Sequence, residues 1–121
     1  MKFLFSILIL STSLSAFALD CKNAVTDYDM RECEGIRLKA ADDSLNKNYA
    51  ELRTILDAGS KNEIKQAQLA WIAFRDAECV FSSDVNKGGT LGRLSEMSCL
   101  TRLTKKRASE LKNEYQLRNS L

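Results

Sequence analysis

The chain has 121 residues, with 18 Lys and Arg against 16 Asp and Glu, a formal net charge of +2, four cysteines, no histidine and no proline. This length predicts one domain with a small apolar core, and the near balance of charge does not indicate a polyanionic partner. The absence of histidine excludes nucleophilic catalysis with a histidine base and zinc sites of the Cys–His type.

Residues 1–18 predict a secretory signal peptide. They contain one lysine, an apolar run that begins at Phe3, and Ala16-Phe17-Ala18, the small-x-small pattern that signal peptidase accepts. The apolar run is shorter than the ~20 residues that a bilayer span needs, so cleavage after Ala18 is favoured over a retained anchor. We therefore expect a periplasmic or secreted protein that meets the membrane only during export and does not meet nucleic acid.

Without residues 1–18 the 121-residue chain retains 103 residues, with 17 basic and 16 acidic side chains. Leu19 to Ala58 has nine acids against six bases, whereas Gly59 to Leu121 has seven acids against eleven bases. The first half therefore favours a cationic partner and the second half an anionic one.

Cys21, Cys33, Cys79 and Cys99 all follow the predicted cleavage site. An even number of cysteines in a small exported chain predicts two disulfides, for which three pairings exist. We favour Cys21–Cys33 and Cys79–Cys99, because each closes a short loop beside a predicted helix end. In the chain-entropy model each bond stabilises the fold by ~3 kcal/mol. Without a C-x-x-C pair or a histidine, a zinc site is not expected, and we expect no other metal or cofactor.

The first helix is predicted to begin at Thr26, where Asp29 follows three residues later as in a capping box. It is expected to end near Gly59. Its inner face is predicted from apolar or small residues that recur every three or four positions. These are Met30, Cys33, Ile36, Ala40, Ala41, Leu45, Tyr49, Leu52, Ile55 and Leu56.

The second helix is predicted to begin at Ser60, with Glu63 repeating the capping pattern, and to end near Cys79. Its inner stripe would contain Ile64, Ala67, Trp71 and Phe74. The segment "SSDVNKGGT" at 82–90 is polar and contains two glycines, which predicts a loop. A third helix should follow from Thr90 or Leu91, with an inner side formed by Leu94, Leu100, Leu103, Ala108, Leu111 and Tyr115.

These elements predict an all-α fold, a small antiparallel three-helix bundle with two disulfides over residues 19–121, preceded by a cleaved signal peptide. Its structural core is predicted to include Leu45, Tyr49, Trp71, Phe74, Arg75 and Asp76.

The stretch "AWIAFRDAEC" at 70–79 combines aromatic, charged and thiol side chains. Trp71 and Phe74 are expected to pack in the core, although an aromatic ligand platform is an alternative. Arg75 and Asp76 are adjacent and diverge by about 100° on a helix, so we expect Arg75 to reach an acid on a neighbouring helix. Asp76 or Glu78 should then meet the loop or the third helix. The two carboxylates diverge, so no acid–base pair is expected and the protein is not predicted to be an enzyme.

Several blocks of the chain resemble the LprI-like lysozyme-inhibitor domain family of small exported bacterial proteins. The most distinctive block contains the tryptophan, arginine, aspartate and cysteine at 71–79. The matching blocks are Asp20-Cys21, Thr26, Glu32-Cys33, "AADDSLNKNYAELRTIL" at 40–56, "QAQLAWIAFRDAEC" at 66–79, Gly88-Gly89 and "SCLTRLTKKRASEL" at 98–111. The resemblance implies a periplasmic or secreted helical domain whose partner is a protein, namely lysozyme or another glycan hydrolase.

Two sets of residues are candidates for binding such a partner. Asn86, Lys87, Gly88, Gly89 and Thr90 could form a plug, because glycines permit close backbone approach and a lysine suits a cleft that carries carboxylates. The alternative is that this segment only connects two helices.

The second set, Asp42, Asp43 and Glu51 on the first helix, would be the recognition surface of a general periplasmic interaction, envelope-stress or immunity module without lysozyme activity. The alternative is that these acids form an ordinary solvated face. A third hypothesis is that the basic segment "RLTKKR" at 102–107 binds anionic polymers of the cell envelope. The sequence leaves the oligomeric state open.

Overall fold

The computed structural model describes residues 19–121 and contains three long helices over that range. Helix α1 spans Asp27–Thr54, α2 spans Ala58–Ser83 and α3 spans Thr90–Asn119, with a short 3-10 helix at Asp84–Asn86 between α2 and α3. Residues 19–121 contain no strand. The predicted signal peptide at residues 1–18 lies outside the described residues. The prediction of an all-α, disulfide-bonded three-helix bundle is confirmed.

Consecutive helices are antiparallel, so α1 and α3 run parallel to each other. The Thr90 hydroxyl at the start of α3 donates to Asp27 Oδ2 at the start of α1, at 2.7 Å. Further along both helices, Asn48 Nδ2 donates to the Ala108 carbonyl oxygen at 2.8 Å. Helix α2 runs in the opposite direction, because its first half meets the second half of α3, where Arg107 Nε donates to Gln68 Oε1 at 3.0 Å.

The helix starts follow from local side-chain chemistry. Thr26 caps α1 as predicted, since its hydroxyl accepts the Asp29 amide at 3.0 Å. The predicted boundary at Gly59 and Ser60 is wrong by a few residues. Asp57 caps α2 instead, accepting the Ser60 amide at 2.7 Å, and Gly59 lies inside the first turn. This backbone hydrogen bond lowers the pKa of the Asp57 carboxyl, because it favours the ionised form.

The apolar core and the disulfides occupy opposite ends of the bundle. Leu45, Leu52, Ala108 and Leu111 form a buried cluster, against which Tyr49, Leu56, Ile64, Trp71 and Tyr115 pack. These residues come from the second halves of α1 and α3, from the first half and the middle of α2, and from Leu56 between α1 and α2. At the other end the Cys21–Cys33 and Cys79–Cys99 bonds are formed, which confirms the favoured pairing.

Five residues predicted to lie on inner helix faces are exposed, namely Ile36, Ala40, Ile55, Ala67 and Phe74. Phe74 is 55% exposed and Ile36 is 58% exposed. Helix α2 buries only Gln68 and Cys79 among its residues, so Phe74 lies on the side of the helix that faces solvent. The prediction of Phe74 as a core residue was therefore wrong, whereas Leu45 is buried as predicted.

Candidate partner-binding surface

The segment between α2 and α3 is a compact turn with a defined backbone. The Lys87 amide donates to the Asp84 carbonyl oxygen at 3.0 Å, and the Gly89 amide donates to the Asn86 carbonyl oxygen at 3.3 Å. Gly88 has a φ of 86°, in the left-handed region that side chains with a Cβ rarely adopt. The five predicted plug residues, Asn86 to Thr90, therefore lie together in this turn and at the first residue of α3, and all five are exposed.

Gly92 allows this turn to pack on the first turn of α3. A Cβ at Gly92 would lie 2.5 Å from the Asn86 carbonyl oxygen, a distance that backbone atoms cannot tolerate without moving. Gly92 is buried, unlike the other glycines of the segment. Its role was not predicted, because the sequence does not show how closely the 3-10 helix approaches α3.

The Gly92→Ala variant is expected to lose about 2 kcal/mol of unfolding free energy, because the Asn86 backbone must shift. Gly35→Ala is the matched control: its Cβ would meet Met97 Cε at 3.7 Å, an ordinary contact. That control should gain up to about 1 kcal/mol from the higher helix propensity of alanine. Urea denaturation followed by circular dichroism measures both values. Equal midpoints for the two variants would contradict the close approach.

Apolar side chains flank Lys87 on both sides of the turn. Val85 is 87% exposed and Leu91 is 58% exposed, and the Lys87 side chain is 83% exposed. We call Val85 to Leu91 the turn surface. Lys87 Nζ lies 2.8 Å from Asp84 Oδ1, an exposed ion pair of the kind that contributes only about 0–1 kcal/mol. Lys87 can therefore exchange Asp84 for an acidic group on a partner at little cost.

Covalent and polar contacts hold the turn surface in place. The Cys79–Cys99 disulfide joins α2 to α3 on either side of it, with a Cα–Cα distance of 5.4 Å. The hydrogen bond between Thr90 and Asp27 joins the start of α3 to α1. A turn fixed in this way loses little conformational entropy on binding, so more of its contact energy becomes affinity.

Asp42 and Asp43 lie elsewhere, in the middle of α1. Asp43 accepts from Lys39 Nζ at 2.7 Å, and this contact raises the pKa of Lys39. Asp42 Oδ1 lies 3.6 Å from Arg75 Nη1. Arg75 precedes the end of α2 by eight residues, or about 12 Å of helix. The structure therefore does not bring these acids and the plug residues into one site.

Arg75 is a structural residue that connects all three helices. Its guanidinium lies near Asp42 on α1, donates to Thr104 Oγ1 on α3 at 3.2 Å, and lies 5.2 Å from the Trp71 ring centroid. The predicted contact with an acid on a neighbouring helix is confirmed. The expectation that Arg75 and Asp76 do not meet was wrong, because Arg75 Nε donates to Asp76 Oδ1 at 2.9 Å. The long guanidinium side chain curves back along its own helix.

Asp76 is consequently not a core residue. Its side chain is 56% exposed and contacts Arg75 rather than the loop or α3. Trp71 is half-buried against the core, as expected for packing. The charged part of the 70–79 block therefore joins the helices, and its geometry does not create a pair of facing carboxylates.

Residues 19–121 contain no group of three or more potential ligands placed to bind a metal ion. Within the same range, none of the helices combines the length and apolar character that crossing a bilayer requires.

Comparison with known proteins identifies the family. Residues 20–111 match the family described as lysozyme inhibitor LprI. The chain belongs to the LprI family. A protein of Rhizobium meliloti (strain 1021), described as uncharacterized, is 33% identical over 106 residues, covering 77% of this chain and 76% of the relative. The family is named for inhibition rather than catalysis.

A solved structure shares the LprI fold. The crystal structure of a DUF1311 family protein from Pseudomonas putida KT2440 has a TM-score of 0.69 and 24% sequence identity, covering 74% of this chain and 94% of that chain. This likeness establishes the three-helix architecture. Together with the two disulfides, membership of the LprI family indicates an extracytoplasmic protein.

Proposed function

We propose that this LprI-family protein binds and inhibits a lysozyme-type muramidase by placing the turn surface in the enzyme's cleft. The observation that carries the proposal is an exposed lysine between two exposed apolar side chains, on a turn that a disulfide encloses. We also propose export to the periplasm or medium with cleavage after Ala18, since muramidases act there.

The chemistry of the target matches this surface. Muramidases of the lysozyme type use a pair of carboxyl groups at the bottom of a cleft. A lysine ammonium inserted between them would hold both carboxyls ionised and would remove the proton that the general acid must donate. Val85 and Leu91 would add apolar contact to the walls of the cleft, where exclusion of water strengthens the ion pair.

Lys87→Glu is expected to raise the inhibition constant by about 10- to 100-fold, because it replaces a charge-assisted contact with repulsion. The measurement is turbidity loss of a cell-wall suspension treated with several muramidase classes, with and without the purified protein. Lys47→Glu is the matched control, since it makes the same charge change at an exposed position. It lies 20 residues beyond Asp27 on α1, or about 30 Å along the helix from the turn.

Equal inhibition by the two variants would exclude the turn surface from the interface. No protection by the unmodified protein against any muramidase class would overturn the proposed function itself. The remaining candidate would then be a periplasmic interaction, envelope-stress or immunity module, and co-purification from periplasm would identify its partner.

A further inference from the structure

The outer face of α2 is apolar and exposed. It consists of seven side chains that lie on one side of the helix over three turns. Four are large: Leu69 is 53% exposed, Phe74 55%, Val80 60% and Phe81 75%. Three alanines lie among them and are also exposed, so the face comprises Leu69, Ala70, Ala73, Phe74, Ala77, Val80 and Phe81.

Helix α2 departs from the usual distribution of polarity, because it has apolar side chains on its outer face as well as on its inner face. A surface helix normally directs its apolar stripe inward and its polar side chains outward. Here Gln68 is buried and accepts from Arg107, and Arg75 makes the polar contact to α1 and α3. Between these two positions, Leu69, Ala70, Ala73 and Phe74 face away from the bundle, whereas Trp71 packs on the core. Core packing therefore does not account for the outer face.

The size of this face matches an interaction surface. A phenylalanine buries about 150–250 Å², so Phe74 and Phe81 alone expose on the order of 250 Å². Soluble monomers rarely expose contiguous apolar patches larger than a few hundred Å², and the largest patch on a protein is often functional. From Leu69 to Phe81 the face extends over 12 residues of helix, or about 18 Å.

We propose that the outer face of α2 binds the same face of a second copy, with the two helices antiparallel. A two-fold dimer requires a face that is complementary to itself. When Leu69 is opposite the partner subunit's Phe81, Ala73 is opposite the partner subunit's Ala77. Large side chains then meet at both ends, and in the middle Phe74, one residue from the two-fold axis, can pack on the partner subunit's Ala77.

Charge at the two ends of the face favours this orientation. Lys65 is exposed one helical turn before Leu69. Asp84 is exposed three residues after Phe81, and its Oδ1 pairs with Lys87 at the surface. An antiparallel pair brings Lys65 close to the partner subunit's Asp84, twice in each dimer. A parallel pair would instead bring lysine close to lysine and aspartate close to aspartate, which like-charge repulsion opposes.

The dimer is a property of this chain alone and does not depend on a muramidase partner. Its test is sedimentation equilibrium of the protein purified after export, over a wide concentration range. The unmodified protein should sediment as a dimer at high concentration. Phe74→Glu should weaken dimerisation by at least about 100-fold, because the dimer would bury two unpaired carboxylates. Ile36→Glu is the matched control on α1, since Ile36 is 58% exposed, and it should leave the dimer unchanged.

A charge exchange tests the antiparallel orientation. Lys65→Glu alone and Asp84→Lys alone should each weaken the dimer, and the double variant should restore it. Circular dichroism at each step verifies that the variants are folded. A monomer at every concentration, or equal weakening by Phe74→Glu and Ile36→Glu, would overturn the dimer. Single charge variants that dimerise as well as the unmodified protein would overturn the orientation.

Discussion

The Leu52→Ala variant is expected to lose about 3 kcal/mol of unfolding free energy, within the usual 2–5 kcal/mol for a buried leucine. Leu52 is 1% exposed and belongs to the cluster with Leu45, Ala108 and Leu111, where α1 packs on α3. Its removal leaves a cavity that two long, straight helices cannot readily close. Domains of this size have a total free energy of unfolding of about 5–15 kcal/mol, so this single substitution removes a large fraction of it.

Urea denaturation monitored by circular dichroism measures the loss. Leu117→Ala is the matched control, since Leu117 lies on α3 and is 59% exposed. That substitution should change the free energy of unfolding by no more than about 0.5 kcal/mol. A Leu52→Ala midpoint close to that of Leu117→Ala would show that the cluster is not the main source of stability.

Replacing Cys79 and Cys99 together by alanine is expected to lower the free energy of unfolding by about 3 kcal/mol or more. Chain entropy contributes about 3 kcal/mol for a loop of this length. The two cysteines, at 0% and 6% exposed, also fill space between α2 and α3. The buried leucine cluster lies at the other end of the bundle and does not support this region. We therefore expect the turn surface to lose its fixed geometry and inhibition to fall.

The double replacement of Cys21 and Cys33 provides the comparison. This bond has a sequence separation of 12 and attaches only the short segment before α1. Removing this bond should lower the free energy of unfolding. Inhibition, and the protection of the turn's amides from hydrogen exchange, should remain unchanged. Hydrogen exchange across residues 84–92 distinguishes the two variants. Equal exchange in both would show that the Cys79–Cys99 bond does not hold the turn.

Features with local causes were predictable from the sequence. Thr26 caps α1 because its hydroxyl accepts a hydrogen bond from the backbone amide three residues later, and this contact depends only on neighbouring residues. The disulfide pairing followed from short loop lengths. Which residue caps the start of α2 was harder to predict, since Asp57 and Ser60 both have side chains that suit an N-cap. The ionised carboxylate of Asp57 is the stronger acceptor and caps α2.

Features that depend on the packing of two helices were not predictable in the same way. Helix α2 has apolar residues on two neighbouring faces, one containing Ile64 and Trp71 and the other containing Leu69 and Phe81. Periodicity identifies both faces but does not indicate which one the bundle covers. The burial of Gln68 and Thr104 was missed for a related reason, since their partners Arg107 and Arg75 come from other helices.

The candidate binding site was predicted in part. Asn86 to Gly89 could be singled out because glycines and a lysine stand between two helices. The contribution of Gly92 depends on a three-dimensional approach, and that of Val85 and Leu91 depends on their exposure. An apolar residue within the polar segment 82–90 is the one signal that could have pointed to Val85.

The Cys79–Cys99 bond also protects the exposed segment that it encloses. Exposed turns are preferred sites of proteolytic nicking, and residues 84–90 are exposed throughout. A peptide bond hydrolysed anywhere between the two cysteines leaves both fragments attached through sulfur. A protease outside the cytoplasm would have to cut the chain twice within this covalent ring to release a piece of it.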